Sequence, residues 1–182
     1  IKNTIYAILL FAMVSCSLKE TPEHFVDRSL FYRTEMECRS VLNSAYNKLN
    51  GIFNHRFFYM TELQSDLWYN TASGTEYDAT LDITPSSPGH GATIWTNCYN
   101  AIMICNECIE CIADAPIESA VKDPMVAEAR VLRALYYHIL TQVFNGVPFY
   151  LESVDSKQKL EEIRRLPRTE AGVIRETLYD DL

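Results

Sequence analysis

One stretch of the 182-residue chain combines the side chains that a polyhydroxylated ligand needs. It is Gln64-Ser65-Asp66-Leu67-Trp68-Tyr69-Asn70, with Glu76, Tyr77 and Asp78 close behind. A sugar presents flat C–H faces and a ring of hydroxyls. It is recognised by aromatic platforms set beside amide or carboxylate groups, and Trp and Tyr supply large, stiff area with a polar edge. Asp66, Trp68, Tyr69, Asn70 and Tyr77 are therefore the candidate ligand-binding residues. A structural role competes with this reading. Trp68 and Tyr69 could anchor a loop onto neighbouring helices, and Asp66 could cap a turn through its own backbone.

Other chemistry is less well supplied. Cys98, Cys105, Cys108 and Cys111 superficially have iron–sulfur spacing. They fall on an apolar helical pattern, however, and steps of three rotate around a helix without converging on one point. They read as small hydrophobes in a helix seam. A disulfide from Cys38 to one of them stays open. His24, His55, His90 and His138 are scattered and form no His-Glu-x-x-His pair. No Gly-x-Ser-x-Gly elbow and no phosphate-binding glycine loop occurs. The acidic pairs Glu161-Glu162 and Asp180-Asp181 lie on solvated stretches. No catalytic residues, metal or cofactor are expected.

The N-terminus has its own signature. Lys2 precedes an apolar run from Ile5 to Val14, followed by Ser15 and Cys16. The run is too short to span a bilayer, which takes about 20 residues. It matches the apolar region of an export signal. A small residue before Cys is the bacterial lipoprotein pattern, in which the Cys carries lipid. Residues 1–15 are thus expected to be a signal peptide, Cys16 the lipid attachment site, 16–33 a tether, and 34–182 the folded domain. Ile1 stands where a Met would, so the start is expected to be missing.

The charges exclude one class of partner. There are 24 acidic residues against 16 Lys and Arg, a net charge of −8, and no basic cluster. Nucleic-acid binding needs concentrated positive charge. Only 6 Gly and 7 Pro argue against a many-turned β fold and favour helices.

The apolar pattern locates those helices. Thr34 and Glu37 form a capping box. Cys38, Val41, Leu42, Ala45, Tyr46 and Leu49 follow at helical spacing, predicting a helix over Glu35–Asn50 that stops at Gly51. Residues 51–92 show no sustained period, apart from a short helix over Phe57–Leu67, and read as a long aromatic-rich functional loop. A two-striped helix over Thr93–Ala113 is expected to be packed on both sides. The next should open with Asp123 as N-cap and Pro124 at its first position, and end at Asn145-Gly146. Leu151 to Arg165 reads as a solvated connector. A last helix begins near Thr169 and meets Leu182 without a stop signal, so the chain is expected to be truncated there. Glu128, Arg130, Arg133 and Asn106, set among apolar residues, should tie neighbouring segments together.

A set of ordered motifs now resembles a known family. Trp95-x-x-x-Tyr99-x-x-Ile102-x-x-x-Asn106 is followed by Ala127-Glu128-Ala129-Arg130-x-Leu132-Arg133-Ala134-x-Tyr136-Tyr137, then Phe144-Asn145-Gly146-Val147-Pro148, then Arg168-Thr169 leading to Asp181-Leu182. Together these resemble the N-terminal part of SusD/RagB outer-membrane nutrient-binding lipoproteins. Asn145 departs from the glycine often found there, a position Asn tolerates. The resemblance implies a mostly α fold: a tetratricopeptide-like helical repeat with a long irregular loop region that carries the ligand site, truncated at the C-terminus. It implies a lipid-anchored protein of the outer-membrane surface that captures oligosaccharide for a SusC-type TonB-dependent β-barrel transporter, without catalysis. The alternative is a helical-repeat interaction scaffold at the outer membrane with no glycan ligand.

Overall fold

The computed structural model describes residues 31–65, 67, 76–82, 84, 86, 87 and 89–182. Cys16 and the rest of the expected signal and tether up to residue 30 lie outside the described residues. Tyr32–Leu182 form one compact unit. Its helices are α1 (Glu35–Phe53), α2 (Arg56–Glu62), α3 (Glu76–Thr80), α4 (Gly91–Ala113), α5 (Ser119–Phe144), α6 (Lys157–Arg164) and α7 (Ala171–Asp181). Strands β1 (Val147–Pro148) and β2 (Arg168–Thr169) pair antiparallel, with Val147 opposite Thr169 and Pro148 opposite Arg168. The architecture is the expected mostly α one. None of the described helices is long and apolar enough to cross a membrane.

The two stripes of α4 explain the packing. One side lies on α1 and the other on α5. Ile94, Cys98, Ala101, Ile102, Cys105, Cys108 and Ile112 are fully buried between Leu42 and Ala45 of α1 and Ala129, Tyr136 and Leu140 of α5. Removing this apolar surface from water is the main stabilising term. The capping box at the start of α1 forms as expected. Glu37 N–H donates to Thr34 Oγ1 (3.3 Å) and Thr34 N–H donates to Glu37 Oε2 (2.9 Å). Cross-helix polar ties also follow the expectation. Arg39 of α1 pairs with Glu128 of α5 at 2.7 Å, and Tyr136 OH donates to Ala45 O at 2.6 Å.

Four boundaries differ from expectation. Gly51 lies inside α1, where a Cβ would come within 3.0 Å of Asn97 Oδ1. The glycine serves close approach of α4, not a helix stop. Helix α5 begins at Ser119, after an extended Glu118, and Pro124 sits inside it. There the proline removes one intrahelical bond without ending the helix. The connector 151–165 contains α6, whose start is capped by Ser156 Oγ accepting from Lys159 N–H at 3.1 Å. None of its residues is fully buried, and its apolar side is only the half-buried pair Leu160 and Ile163, too short a pattern to mark a helix within a charged stretch. Thr169 belongs to β2, and the last helix begins two residues later. Asn145 has positive φ (60°) at the end of α5, but with ψ −123° it lies outside the left-handed helical region that Asn readily adopts.

The cysteines occupy the helix seam. Cys38, Cys98, Cys105 and Cys108 are free thiols with no exposed surface. Burial pushes the Cys98 and Cys105 thiols up to about 12 from an ordinary 9, and raises Cys108 too. Two outcomes follow. Iodoacetamide at pH 8 should leave Cys98 and Cys105 unmodified in the native protein and label them in denaturant, as read by peptide mass. The unfolded chain also releases these protons at lower pH than the fold. Stability should therefore hold below about pH 9 and fall as pH climbs from there towards 12, measurable by urea titration across that range.

Candidate functional site

Between α5 and α6 the backbone runs from Pro148 to Ser153 with almost no ladder partner, so its polar groups must be satisfied by other means. Side chains of α4 and α5 supply them. Tyr99 OH donates to Pro148 O (2.7 Å). Tyr137 OH donates to Tyr150 O (2.8 Å) and accepts from Tyr150 N–H (3.1 Å). Arg133 Nη1 donates to Leu151 O (3.1 Å), Asn106 Nδ2 donates to Glu152 O (3.1 Å), and Ser153 Oγ donates to Glu110. The segment is thus threaded over a row of helix side chains.

Arg133 is the most buried charge in that row, with 3% of its side chain exposed. It also donates to Asn106 Oδ1 (2.7 Å) and pairs with Asp181 of α7. Arg130 Nη1 adds a bond to Asp181 O at 3.2 Å. Arg130 and Asn106 thus reach neighbouring segments, as the sequence implied.

The threaded segment forms one wall of a cleft of about 330 Å³. Helix α4 supplies Trp95, Tyr99, Asn100 and Met103, the segment supplies Tyr150, and α6 closes the far side with Leu160 and Arg164. Tyr99 and Tyr150 lie parallel, with ring centroids 6.4 Å apart and planes within 7°. Trp95 is half-buried, tilted on Tyr99 (4.9 Å) and edge-on to Phe144 (5.0 Å). Burial pushes the Tyr150 phenol up to about 12 and raises Tyr99 as well, so both hydroxyls stay protonated at neutral pH. Aromatic faces, an exposed amide at Asn100 and neutral hydroxyls are what a ligand with apolar faces and polar edges can use.

The long loop re-enters the helical body at the start of α4. There Asp78 is fully buried. Its Oδ1 accepts from His90 N–H at 3.2 Å and its Oδ2 faces His90 Nδ1. Gly89 has φ +54°, and a Cβ there would lie 2.5 Å from Asp78 Oδ1. Only glycine fits that approach. Asp78, which the sequence grouped with the ligand stretch, is therefore an internal anchor. The histidines are less scattered in space than in sequence. His55 and His90 approach to 6.2 Å between ring centroids, with Tyr59 at 5.3 Å from each. No group of three or more His, Cys, Asp or Glu among the described residues is placed to hold a metal ion.

Of the candidate residues, Asp66, Trp68, Tyr69 and Asn70 lie outside the described residues, and Tyr77 falls within α3. The cleft residues were not singled out as ligand-binding from sequence. Trp95 and Tyr99 served there as helix pattern and family motif, Arg164 fell in the stretch 151–165 read as a solvated connector, and Tyr150, just before that stretch, was given no role. The aromatic doublet Phe149-Tyr150, immediately before the charged stretch, could have signalled the second wall.

Comparison with known proteins gives a consistent picture. A SusD-like family, described as starch-binding and associating with the outer membrane, matches residues 23–178. Among curated proteins, one SusD-like protein of Formosa agariphila is 27% identical over 98% of this chain and 36% of its own length. Another from that organism is 22% identical over 96% of this chain and 36% of its own length. The chain thus spans about a third of the length of these relatives. Among solved structures, a laminarin-binding SusD-like protein aligns with a TM-score of 0.67 and 19% identity, covering 82% of this chain and 33% of the other. A surface glycan-binding protein A from Bacteroides fluxus aligns with a TM-score of 0.65 and 23% identity, covering 81% and 32%.

Proposed function

The chain belongs to the SusD-like family, and on that premise we propose that it forms part of a glycan-capture protein at the outer-membrane surface. The observation that carries this reading is the aromatic cleft. Trp95, Tyr99 and Tyr150 offer stacking area beside the exposed Asn100. In this reading the loop residues Asp66, Trp68, Tyr69, Asn70 and Tyr77, which precede α4 in sequence, contribute aromatic and polar groups of the same kind. Lipid on Cys16 tethers the protein, and captured oligosaccharide passes to a SusC-type β-barrel transporter. The relatives named above, one laminarin-binding and one surface glycan-binding, favour a carbohydrate ligand over a purely structural role. The reading assigns no bond-breaking step; among the described residues the cleft lining holds no carboxylate.

The test is affinity electrophoresis of the full-length protein through gels containing a panel of polysaccharides. At least one should retard the wild type. Trp95→Ala or Trp68→Ala should weaken that retardation by about thirtyfold in Kd, since truncating a stacking anchor costs about 2 kcal/mol. A folded protein retarded by none, with Trp68 shielded from quencher, would hand the site to the interaction-scaffold reading.

A further inference from the structure

The charge of the cleft has one sign. Arg164 lines it, and among the described residues no Asp or Glu does. Arg168 adds a second cation, with its guanidinium carbon 5.8 Å from the Trp95 ring centroid. The Arg168 side chain is fixed there by carbonyls, not by a carboxylate: Nη1 donates to Phe144 O (3.1 Å) and Gly146 O (2.7 Å). Its positive charge is therefore held in place without being neutralised by those bonds. Arg164 does have a carboxylate neighbour, Glu161 at 2.7 Å, but the two side chains are 64% and 54% exposed. Such a surface pair contributes little, and a ligand anion can displace it.

Two guanidinium groups beside an aromatic cleft stand out in a chain with net charge −8. A neutral sugar needs none of this, because its hydroxyls are served by Asn100 and by backbone groups. An acidic sugar does need it, since the protein as a whole repels anions and a local positive rim must overcome that. The planar guanidinium fork also matches carboxylate and sulfate oxygens two at a time. We propose that the glycan bound in this cleft is anionic. Its rings stack on Tyr150 and Trp95, and its carboxylate or sulfate groups pair with Arg164 and Arg168. This rests on the glycan-capture reading of the same site.

The experiment is isothermal titration of the full-length protein with three oligosaccharides of matched length, at low and at high salt. They are a galacturonic acid oligomer, a sulfated galactose oligomer and an uncharged galactose oligomer. Arg164→Ala is titrated alongside; the residue is exposed and has no core contact to lose. At least one anionic oligomer should bind about tenfold tighter than the neutral one, the size of a charge-assisted contact. That advantage should shrink in high salt and be lost in Arg164→Ala. Whether the carboxylate or the sulfate oligomer binds identifies the group recognised. Equal binding of neutral and anionic oligomers, with Arg164→Ala indifferent, overturns the acidic preference and leaves glycan capture standing. No binding of any of the three, in a protein that binds no other glycan, overturns both.

Discussion

Asp181→Ala is expected to lower stability by about 3 kcal/mol, although it removes one side chain from the last turn of the last helix. The reason lies in its partner. Arg133 has 3% of its side chain exposed, and Asp181 is its carboxylate partner. The remaining Arg133 bonds go to the neutral acceptors Asn106 Oδ1 and Leu151 O, and its Nε is buried without a partner. Deleting Asp181 would leave a guanidinium in a dry site with no compensating charge. Urea unfolding should show the loss as a lower midpoint at unchanged slope. Replacing both residues, Arg133→Met with Asp181→Ala, should cost less than the sum of the single changes, because no orphaned charge remains. A midpoint for Asp181→Ala within about 0.5 kcal/mol of wild type would mean that solvent, not Asp181, balances Arg133.

Tyr136→Ala should cost about 4 kcal/mol, and Tyr136→Phe about 1 kcal/mol, so the series separates ring from hydroxyl. Tyr136 has no exposed surface, and its ring fills the space where α5 crosses α1. Its hydroxyl donates to Ala45 O at 2.6 Å, inside α1. Truncation to Ala opens a cavity that a three-helix seam cannot close without moving a whole helix. Phe keeps the packing and gives up one bond. Thermal unfolding of the three proteins checks the ratio. Equal losses for Ala and Phe would mean that the hydroxyl, not the packing, joins the helices.

The parts of the fold legible in sequence were those whose signal is local. Thr34 and Glu37 announced α1 because a capping box lies within four residues. The double stripe of α4 announced a helix buried on both sides, because each stripe repeats inside the helix itself. Gly51 misled because glycine can mark either a stop or a close approach, and Asn97, which decides between them, is far away in sequence. Pro124 misled because the helix had already begun at Ser119, over residues with no buried position before Met125. Helix α6 escaped the apolar pattern because its eight residues offer only two apolar positions, Leu160 and Ile163, among charged ones. The cleft was illegible for another reason. Trp95, Tyr150 and Arg164 come from three segments, and nothing in the spacing of any one of them refers to the others. The same holds for Asp78 and His90, which looked like loop residues until folding placed the carboxylate against the ring.

The way residues 148–153 are threaded has a consequence for variation. The bonds from Tyr99, Tyr137, Arg133 and Asn106 all end on main-chain atoms of that segment. These four side chains therefore read the path of the segment, whereas Ser153, Phe149 and Tyr150 are read by their own side chains, against Glu110, Tyr137 and Tyr99. Leu151 and Glu152 contribute only their carbonyls to those bonds and can be exchanged without removing an acceptor, whereas a change at Tyr99, Tyr137, Arg133 or Asn106 removes the donor. Such a division separates where the wall stands from what it displays. A lineage, or an engineer, could change what the cleft displays at Tyr150, which lines it, while the main-chain bonds that aim the wall stay in place.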